Sequence, residues 1–167
     1  MARWTETWLT GTGADSSETP PRWPGEKLGL PETGPGSVAG GGRRLIALLV
    51  DWLFAALVAS LFIPMPAAVV AAGGDPVSSG EALQYQVAAL VAWFVLTVPA
   101  AAFFGFTPGM GLIGIRVARL DGATMVGVWR AVVRWVLTVL LIPAAVRNID
   151  GRGWHDRVTG TVVVRMR

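Results

Sequence analysis

The chain contains no cysteine, a single lysine, Lys27, and a single histidine, His155. The absence of cysteine excludes a disulfide framework, a thiolate nucleophile and a cysteine-based metal site. With one histidine in addition, we expect neither a metal site nor a bound cofactor. No nucleophile motif accompanies His155, so the sequence assembles no catalytic site and we expect no enzymatic activity.

Charged residues are also scarce, at 15% of the chain, whereas 53% of its residues are hydrophobic and the mean hydropathy is +0.54. A soluble domain carries roughly a quarter charged residues. The net charge is +3, but the arginines flank or interrupt hydrophobic runs and form no separate basic surface. We therefore expect no nucleic-acid partner. The composition predicts an integral membrane protein whose first partner is the lipid bilayer.

Residues 1–42 differ in composition from the rest of the chain, with five prolines and nine glycines. They show neither helical nor strand periodicity, and no signal peptide is visible at their start. This block predicts a disordered cytoplasmic tail, followed by a membrane domain over residues 43–167.

Three hydrophobic runs follow the tail. A helix that crosses a bilayer needs about 20 apolar residues, and the runs at about 45–72 and 83–106 both satisfy this requirement. We predict that each is a transmembrane helix. Pro64 and Pro66 are expected to end or kink the first one near its far side.

The third run, at about 125–146, contains Arg130, Arg134 and Pro143. An arginine at the bilayer centre costs about 2.5–3.5 kcal/mol on insertion scales. Two alternatives therefore remain open, an interfacial or re-entrant helix and a complete third span. Five arginines beyond the run favour the first alternative, because a full span would place them outside the cell: Arg147, Arg152, Arg157, Arg165 and Arg167.

Arginines also set the expected orientation. Arg43 and Arg44 precede the first run, Arg116 and Arg119 follow the second, and the loop between the runs carries only acids. By the positive-inside rule, the N-terminus is cytoplasmic.

Two short segments rich in branched residues, at about 114–120 and 160–166, are typical of β-strands. An isolated strand leaves its backbone groups unpaired, so we predict that the two strands pair in the cytoplasm. The expected fold class is an all-α membrane protein with two firm transmembrane helices, a third interfacial, re-entrant or spanning helix, a small two-stranded β-element and a disordered tail.

The charged residues within the apolar runs are the candidate site. Arg44 and Asp51 are seven residues apart and share a helix face, as do Arg130 and Arg134 at i and i+4. Buried charges in a membrane face the protein interior and pair with one another. We expect an intramembrane charge cluster of these four residues. It either locks the helices in register or forms an ion or proton relay in which Asp51 titrates.

His155 and Asp156 form a second candidate, a cytoplasmic motif before the last strand. Adjacent side chains rarely face each other usefully, so a structural role is favoured over proton handling by His155. Asp156 is expected to cap the turn before the strand, or to pair with Arg44 or Arg116.

Three segments, at 44–51, 105–117 and 155–164, carry a family resemblance. In this order and spacing they resemble the RDD family of small bacterial membrane proteins, which is named for one arginine and two aspartates. By position these are Arg44, Asp51 and Asp156. Members commonly carry lysine where this chain has Met110. The resemblance implies a multi-pass protein of the bacterial inner membrane and suggests transport.

Two functions follow as hypotheses. The protein is a subunit of an ion or small-solute transporter. Because two or three helices cannot enclose a pore, it would then act as a homo-oligomer or within a larger membrane complex. Alternatively, it is a non-transporting accessory or scaffold protein that docks a membrane complex through its tail or its cytoplasmic element.

Overall fold

The computed structural model describes residues 21–75, 77–140 and 153–167, with residues 154 and 155 described by their backbone only. The fold is mostly helical, with one small sheet. Its elements in chain order are a short 3-10 helix (Glu26–Leu28), α1 (Gly41–Ser60), α2 (Pro66–Ala71), α3 (Ser79–Phe104), α4 (Pro108–Ile113), β1 (Ile115–Arg119), α5 (Val128–Val139), α6 (Trp154–Val158) and β2 (Thr161–Arg165).

The predicted single helix over 45–72 is replaced by two helices. α1 ends at Ser60, and α2 begins with Pro66 as its first residue. A residue that precedes proline is disfavoured in the α conformation, so the two prolines at 64 and 66 keep the intervening segment out of a helix. Pro66 itself suits the first helical position, where its missing N–H leaves no bond unmade.

α3 is the long apolar helix of the fold. It has 26 residues, begins with a capping box formed by Ser78 and Glu81, and ends at Gly105 with a φ of 76°. Within the described residues, it alone is long and apolar enough to cross a membrane, judged by length and composition. The other predicted span is not confirmed, since the 20 residues of α1 include three charges.

α1 and α3 pack through small residues. The buried positions of α1 recur at every fourth residue and are Ala47, Asp51, Ala55 and Ala59. On α3, Tyr85 and Ala89 pack against Ala59 of α1, whereas Ala101 and Trp93 pack against α5. Small side chains let two helix backbones approach closely. The opposite face of α1 presents large apolar side chains to the outside, namely Leu49, Trp52, Leu53 and Leu57.

β1 and β2 form an antiparallel pair, which confirms the predicted pairing of the two strands. Ile115 lies opposite Arg165, and Val117 lies opposite Val163. One face of the sheet packs beneath α1 in a core that includes Ala47 and Val126. The sheet is therefore held against the helices by apolar contact.

The N-terminal block is only partly as predicted. Residues 36–39 run along β2, where the Gly36 N–H donates to the Arg165 carbonyl at 2.8 Å and the Ala39 N–H donates to the Val163 carbonyl at 2.9 Å. The prediction of a disordered tail over residues 1–42 is therefore wrong for residues 36–39. This segment extends the sheet through backbone hydrogen bonds, which need no side-chain periodicity. Residues 1–20 lie outside the described part of the chain.

Several elements meet at one end of the helices, here called the base. The Val117 N–H donates to the Gly105 carbonyl at 2.7 Å, and the Gly127 N–H donates to the Ala102 carbonyl at 3.1 Å. These bonds place β1 and the start of α5 at the end of α3. α6 contacts both α5 and β2. The chain therefore returns to the base after α5; residues 141–146 of the predicted third helix lie outside the described residues.

The strand register is testable by cross-linking, because the chain has no native cysteine. In the pair of Val117 and Val163, the Val117 N–H bonds to Gly105 rather than to β2. Opposed Cα atoms in such non-hydrogen-bonded pairs lie about 4.5 Å apart, within the range that a disulfide spans. Val117→Cys combined with Val163→Cys should lose both thiols on copper–phenanthroline oxidation, measured as maleimide mass tags after unfolding.

The matched control combines Val117→Cys with Val162→Cys, whose Cβ atom points to the opposite face of the sheet. This pair should keep both thiols. Equal oxidation of the two pairs would show that the register is wrong.

Candidate functional site

The base is organised around one buried carboxylate. Asp156 is 0% exposed. Arg44 donates from Nη1 to its Oδ2 at 2.6 Å, Arg134 donates from Nη1 to its Oδ1, and the Gly153 N–H donates to Oδ2 at 3.2 Å. Asp156 therefore joins a guanidinium of α1 to a guanidinium of α5.

Arg44 lies in the first turn of α1 and makes further contacts with the strands. Its Nε donates to the Ala39 carbonyl at 3.1 Å, and its Nη2 donates to the Val163 carbonyl at 3.4 Å. One side chain thus connects the start of α1 to residues 36–39, to β2 and to α6.

Arg134 lies in the second turn of α5 and is 7% exposed. Its Nη1 also donates to Oγ1 of Thr161 at 2.7 Å, and that hydroxyl lies 2.9 Å from Oγ1 of Thr159. Buried charges are tolerated only when they are paired and hydrogen-bonded. Here two arginines share one aspartate, so this triad of Arg44, Arg134 and Asp156 carries a formal charge of +1.

Asp51 lies in the middle of α1, makes no ion pair with the triad, and is 4% exposed. The Thr107 hydroxyl donates to its Oδ2 at 2.5 Å, and the Gly109 N–H donates to its Oδ1 at 2.7 Å. Oγ1 of Thr107 in turn accepts the Met110 N–H at 3.2 Å, as the N-cap of α4. Asp51 therefore fixes the start of α4 against the middle of α1.

Gly109 permits the close contact between α4 and α1. A Cβ atom added at this position would lie 2.2 Å from the Ala47 carbonyl oxygen and 3.0 Å from Cγ of Asp51. Both distances are closer than van der Waals contact allows. Only glycine lets the backbone of α4 approach α1 so closely.

A cavity of about 420 Å³ lies between α1, α3 and α5. Arg44, Asp51 and Arg134 line it, together with the hydroxyl residues Thr97, Thr107 and Thr138. The remaining wall is mostly apolar and includes Leu48, Trp93, Val98 and Trp135. Within the described residues, no group of three or more histidines or carboxylates is placed to hold a metal ion.

The structure distributes the four residues of the predicted charge cluster differently. Arg44 and Arg134 meet on Asp156, whereas Asp51 is bound by Thr107 and Gly109 instead of an arginine. The reason is tertiary, because pairing of the strands brings α6 and its carboxylate under the helices. Three of the four residues, Arg44, Asp51 and Arg134, nevertheless face the same cavity.

Arg130 lies apart from the cavity lining. Its Nε donates to the Thr159 carbonyl at 3.0 Å, and its Nη2 lies 4.0 Å from Oδ2 of Asp121. A hydrogen bond from Arg119 lowers the pKa of Asp121 below its usual value. Arg130 therefore belongs to an exposed loop network and does not pair with Asp51.

The two residues of the cytoplasmic motif have different outcomes. The predicted pairing of Asp156 with Arg44 is confirmed, while Arg116, the other expected partner, is exposed. The side chain of His155 lies outside the described part of the structure. Sequence reasoning missed Thr107 and Gly109, although a threonine before proline is a typical helix N-cap and could have indicated the start of α4.

Removing the charge of Asp156 tests the triad. Asp156→Asn leaves two arginines in a buried site without their counter-charge. Loss of one partner of a buried ion pair costs about 3–5 kcal/mol, so we expect a marked loss of stability in thermal unfolding of the detergent-purified protein. The control is Asp121→Asn, which removes an exposed partner of Arg119 and should leave the unfolding temperature unchanged. Equal unfolding temperatures for the two variants would contradict the arrangement.

The model of the RDD family matches residues 38–160 of this chain. The matched segment includes Arg44, Asp51 and Asp156, the residues that join α1 to α6 and α1 to α4. No curated protein and no solved structure matches the chain. The family match and the apolar helix α3 support a membrane protein. Since the matched segment covers well over half of the 167 residues, the chain belongs to the RDD family.

Proposed function

We propose that this protein is a subunit of an oligomeric transporter for ions or small solutes, and that its cavity is the solute site. The cavity between α1, α3 and α5 carries the proposal, because it places Asp51, Arg44 and Arg134 around one space within apolar helices. Ionisable residues inside a membrane segment are costly, and they mark ion, proton and substrate pathways. A volume of about 420 Å³ suits a small solute.

The surfaces of α1 and α3 support a bilayer environment for both helices. α1 buries mainly alanines, and both helices expose large apolar residues, such as Leu49 and Leu57 on α1 and Val91 and Val95 on α3. A soluble helix has the opposite pattern, with its large apolar residues inside. The 20 residues of α1 extend over about 30 Å, which equals the thickness of the hydrocarbon core.

The base supports a multi-pass topology with both termini in the cytoplasm of a bacterium. α1 starts at the base and α3 ends there, so the two helices cross in opposite directions. α5 has 12 residues and extends over about 18 Å, too short to cross, and the chain returns to the base at α6. A re-entrant α5 is consistent with this path. The exposed arginines at the base, Arg116, Arg157 and Arg167, favour the cytoplasmic side.

Assembly follows from the same geometry. The cavity lies within one protomer, and the few helices around it do not enclose a pore across a bilayer. Transport by this chain therefore needs further copies or a larger membrane complex. The exposed apolar side chains of α1 and α3 are available to lipid or to such a neighbour.

The transport function is tested by removing the titratable group from the cavity. Asp51→Asn preserves the fold, because the amide oxygen can accept the Gly109 N–H and the amide nitrogen can donate to the Thr107 hydroxyl. It cannot exchange a proton. In proteoliposomes containing pyranine, we expect the wild-type protein to dissipate an imposed pH gradient when salts or small carboxylates are supplied. Asp51→Asn should reduce this rate at least tenfold.

The matched control is Asp75→Asn, in the exposed loop between α2 and α3, which should keep the wild-type rate. An unchanged rate in Asp51→Asn would contradict the role of Asp51. Absence of flux in a well-folded wild-type protein would instead favour the accessory or scaffold function.

The topology has a separate test. A single cysteine replaces Met166, which follows β2 at the base, or Ser79, at the opposite end of α3. In intact cells, an impermeant maleimide should label Ser79→Cys and leave Met166→Cys unlabelled until the cells are permeabilised. Labelling of Met166→Cys from outside would contradict a cytoplasmic base.

A further inference from the structure

The guanidinium of Arg134 has hydrogen-bond donors without a partner among the described residues. Nη1 alone donates to Asp156 and to Thr161, while Nε and Nη2 make no hydrogen bond to a described residue. Arginine offers five N–H donors in a planar fork. Arg134 is 7% exposed, and its side chain lines the cavity. A largely buried cation therefore presents unoccupied donors to the cavity.

A second donor without a partner belongs to another residue of the cavity lining. Nε1 of Trp135 is buried and has no hydrogen-bond partner among the described residues. Its ring packs against Trp93, with the ring centres 5.6 Å apart, and meets the edge of Phe94 at 5.1 Å. Trp135 also lines the cavity. A buried polar group normally has a partner, so a cavity lined by both Trp135 and Arg134 indicates a ligand that supplies an acceptor.

Both carboxylate oxygens of Asp51 in the cavity wall already accept a hydrogen bond. Oδ2 of Asp51 accepts the Thr107 hydroxyl and Oδ1 accepts the Gly109 N–H. The remaining donors of Arg134 and Trp135 therefore face a wall that is mostly apolar. A ligand that complements this wall has an anionic oxygen group at one end and an apolar body at the other.

We propose that the cavity binds a carboxylate with a short apolar chain, held by Arg134 through its acid group and by Leu48, Trp93 and Val98 along its chain. The proposal rests on the transport function proposed above and names the class of solute for the same cavity. Guanidinium and carboxylate match in a two-point hydrogen-bonded geometry. A cavity of about 420 Å³ holds one short chain, whereas a phospholipid with two acyl chains would not fit inside it.

The charges around the site set a further expectation. Arg44 and Arg134 contribute two positive charges, and Asp156 and Asp51 contribute two negative charges, so the empty site is formally neutral. Asp51 faces the same cavity as Arg134 and repels a bound anion. Asp51→Asn should therefore bind the carboxylate several-fold more tightly, a change that loss of structure would not produce.

The experiment measures binding of labelled octanoate to the full-length protein in nanodiscs of neutral phosphatidylcholine, with empty nanodiscs as background. We expect saturable binding that excess octanoate displaces. Acetate lacks the apolar body, octanol lacks the charge and octylammonium reverses it, so each should displace at least tenfold less well. Equal displacement by octylammonium or by octanol would overturn the proposal.

Two matched variants locate the site without touching the triad. Leu48→Trp fills the cavity and should weaken octanoate binding at least tenfold. Leu49→Trp places the same side chain on the outer face of α1, where Leu49 is 59% exposed, and should bind as the wild type does. Equal binding by the two variants would place octanoate elsewhere and overturn the proposal.

Two further measurements distinguish a solute from a membrane lipid, and ligand binding from transport. Phosphatidylglycerol in the nanodisc should not displace octanoate; if it does, the site binds a membrane lipid and the proposed solute is wrong. Octanoate binding without any flux in proteoliposomes would support the ligand class and contradict the transport function. Flux that depends on Asp51, without octanoate binding, would support the transport function and contradict the ligand class.

Discussion

The shared ion pair of Asp156 with Arg44 and Arg134 is the interaction on which the fold depends. Burial of a carboxylate is costly unless cations or hydrogen-bond donors surround it, and Asp156 has both. Each arginine belongs to a different helix, and the aspartate lies on a third that precedes the last strand. The ion pair therefore fixes α1, α5 and the sheet relative to one another, which apolar side chains without directional bonds could not do alone.

Asp51 provides a second, independent constraint. Its two oxygens hold the N-terminal turn of α4, and Gly109 lets that turn approach α1. The triad connects α1 to α5 and α6, while Asp51 connects α1 to α4. The cavity lies between these two attachments, so each of its charged groups has a structural partner on one side and faces open space on the other. Structural and solute-binding roles are compatible in the same side chains.

The helix surfaces explain why such a polar interior persists in so apolar a chain. Three alanines and Asp51 recur at every fourth position on the inner face of α1, and leucine and tryptophan occupy its outer face. In a bilayer, no hydrophobic force separates leucine from lipid, and close packing with hydrogen bonds drives association instead. A few buried charges can therefore determine the arrangement, provided that each is paired or hydrogen-bonded.

The amino-acid sequence by itself determined the local features. Runs of apolar residues gave α3, branched residues gave β1 and β2, and proline at 64 and 66 separated α2 from α1, because these patterns depend on neighbours along the chain. The family resemblance identified Arg44, Asp51 and Asp156, and spacing indicated that Arg134 faces inward. Only the tertiary structure decided which charges meet. Arg44 and Arg134 bind Asp156, 112 and 22 residues away respectively, because the strands pair and bring α6 beneath the helices. No periodic pattern along the chain predicts the contact of the arginines with Asp156. Nor does such a pattern predict that residues 36–39 join the sheet, because they do so through backbone hydrogen bonds alone.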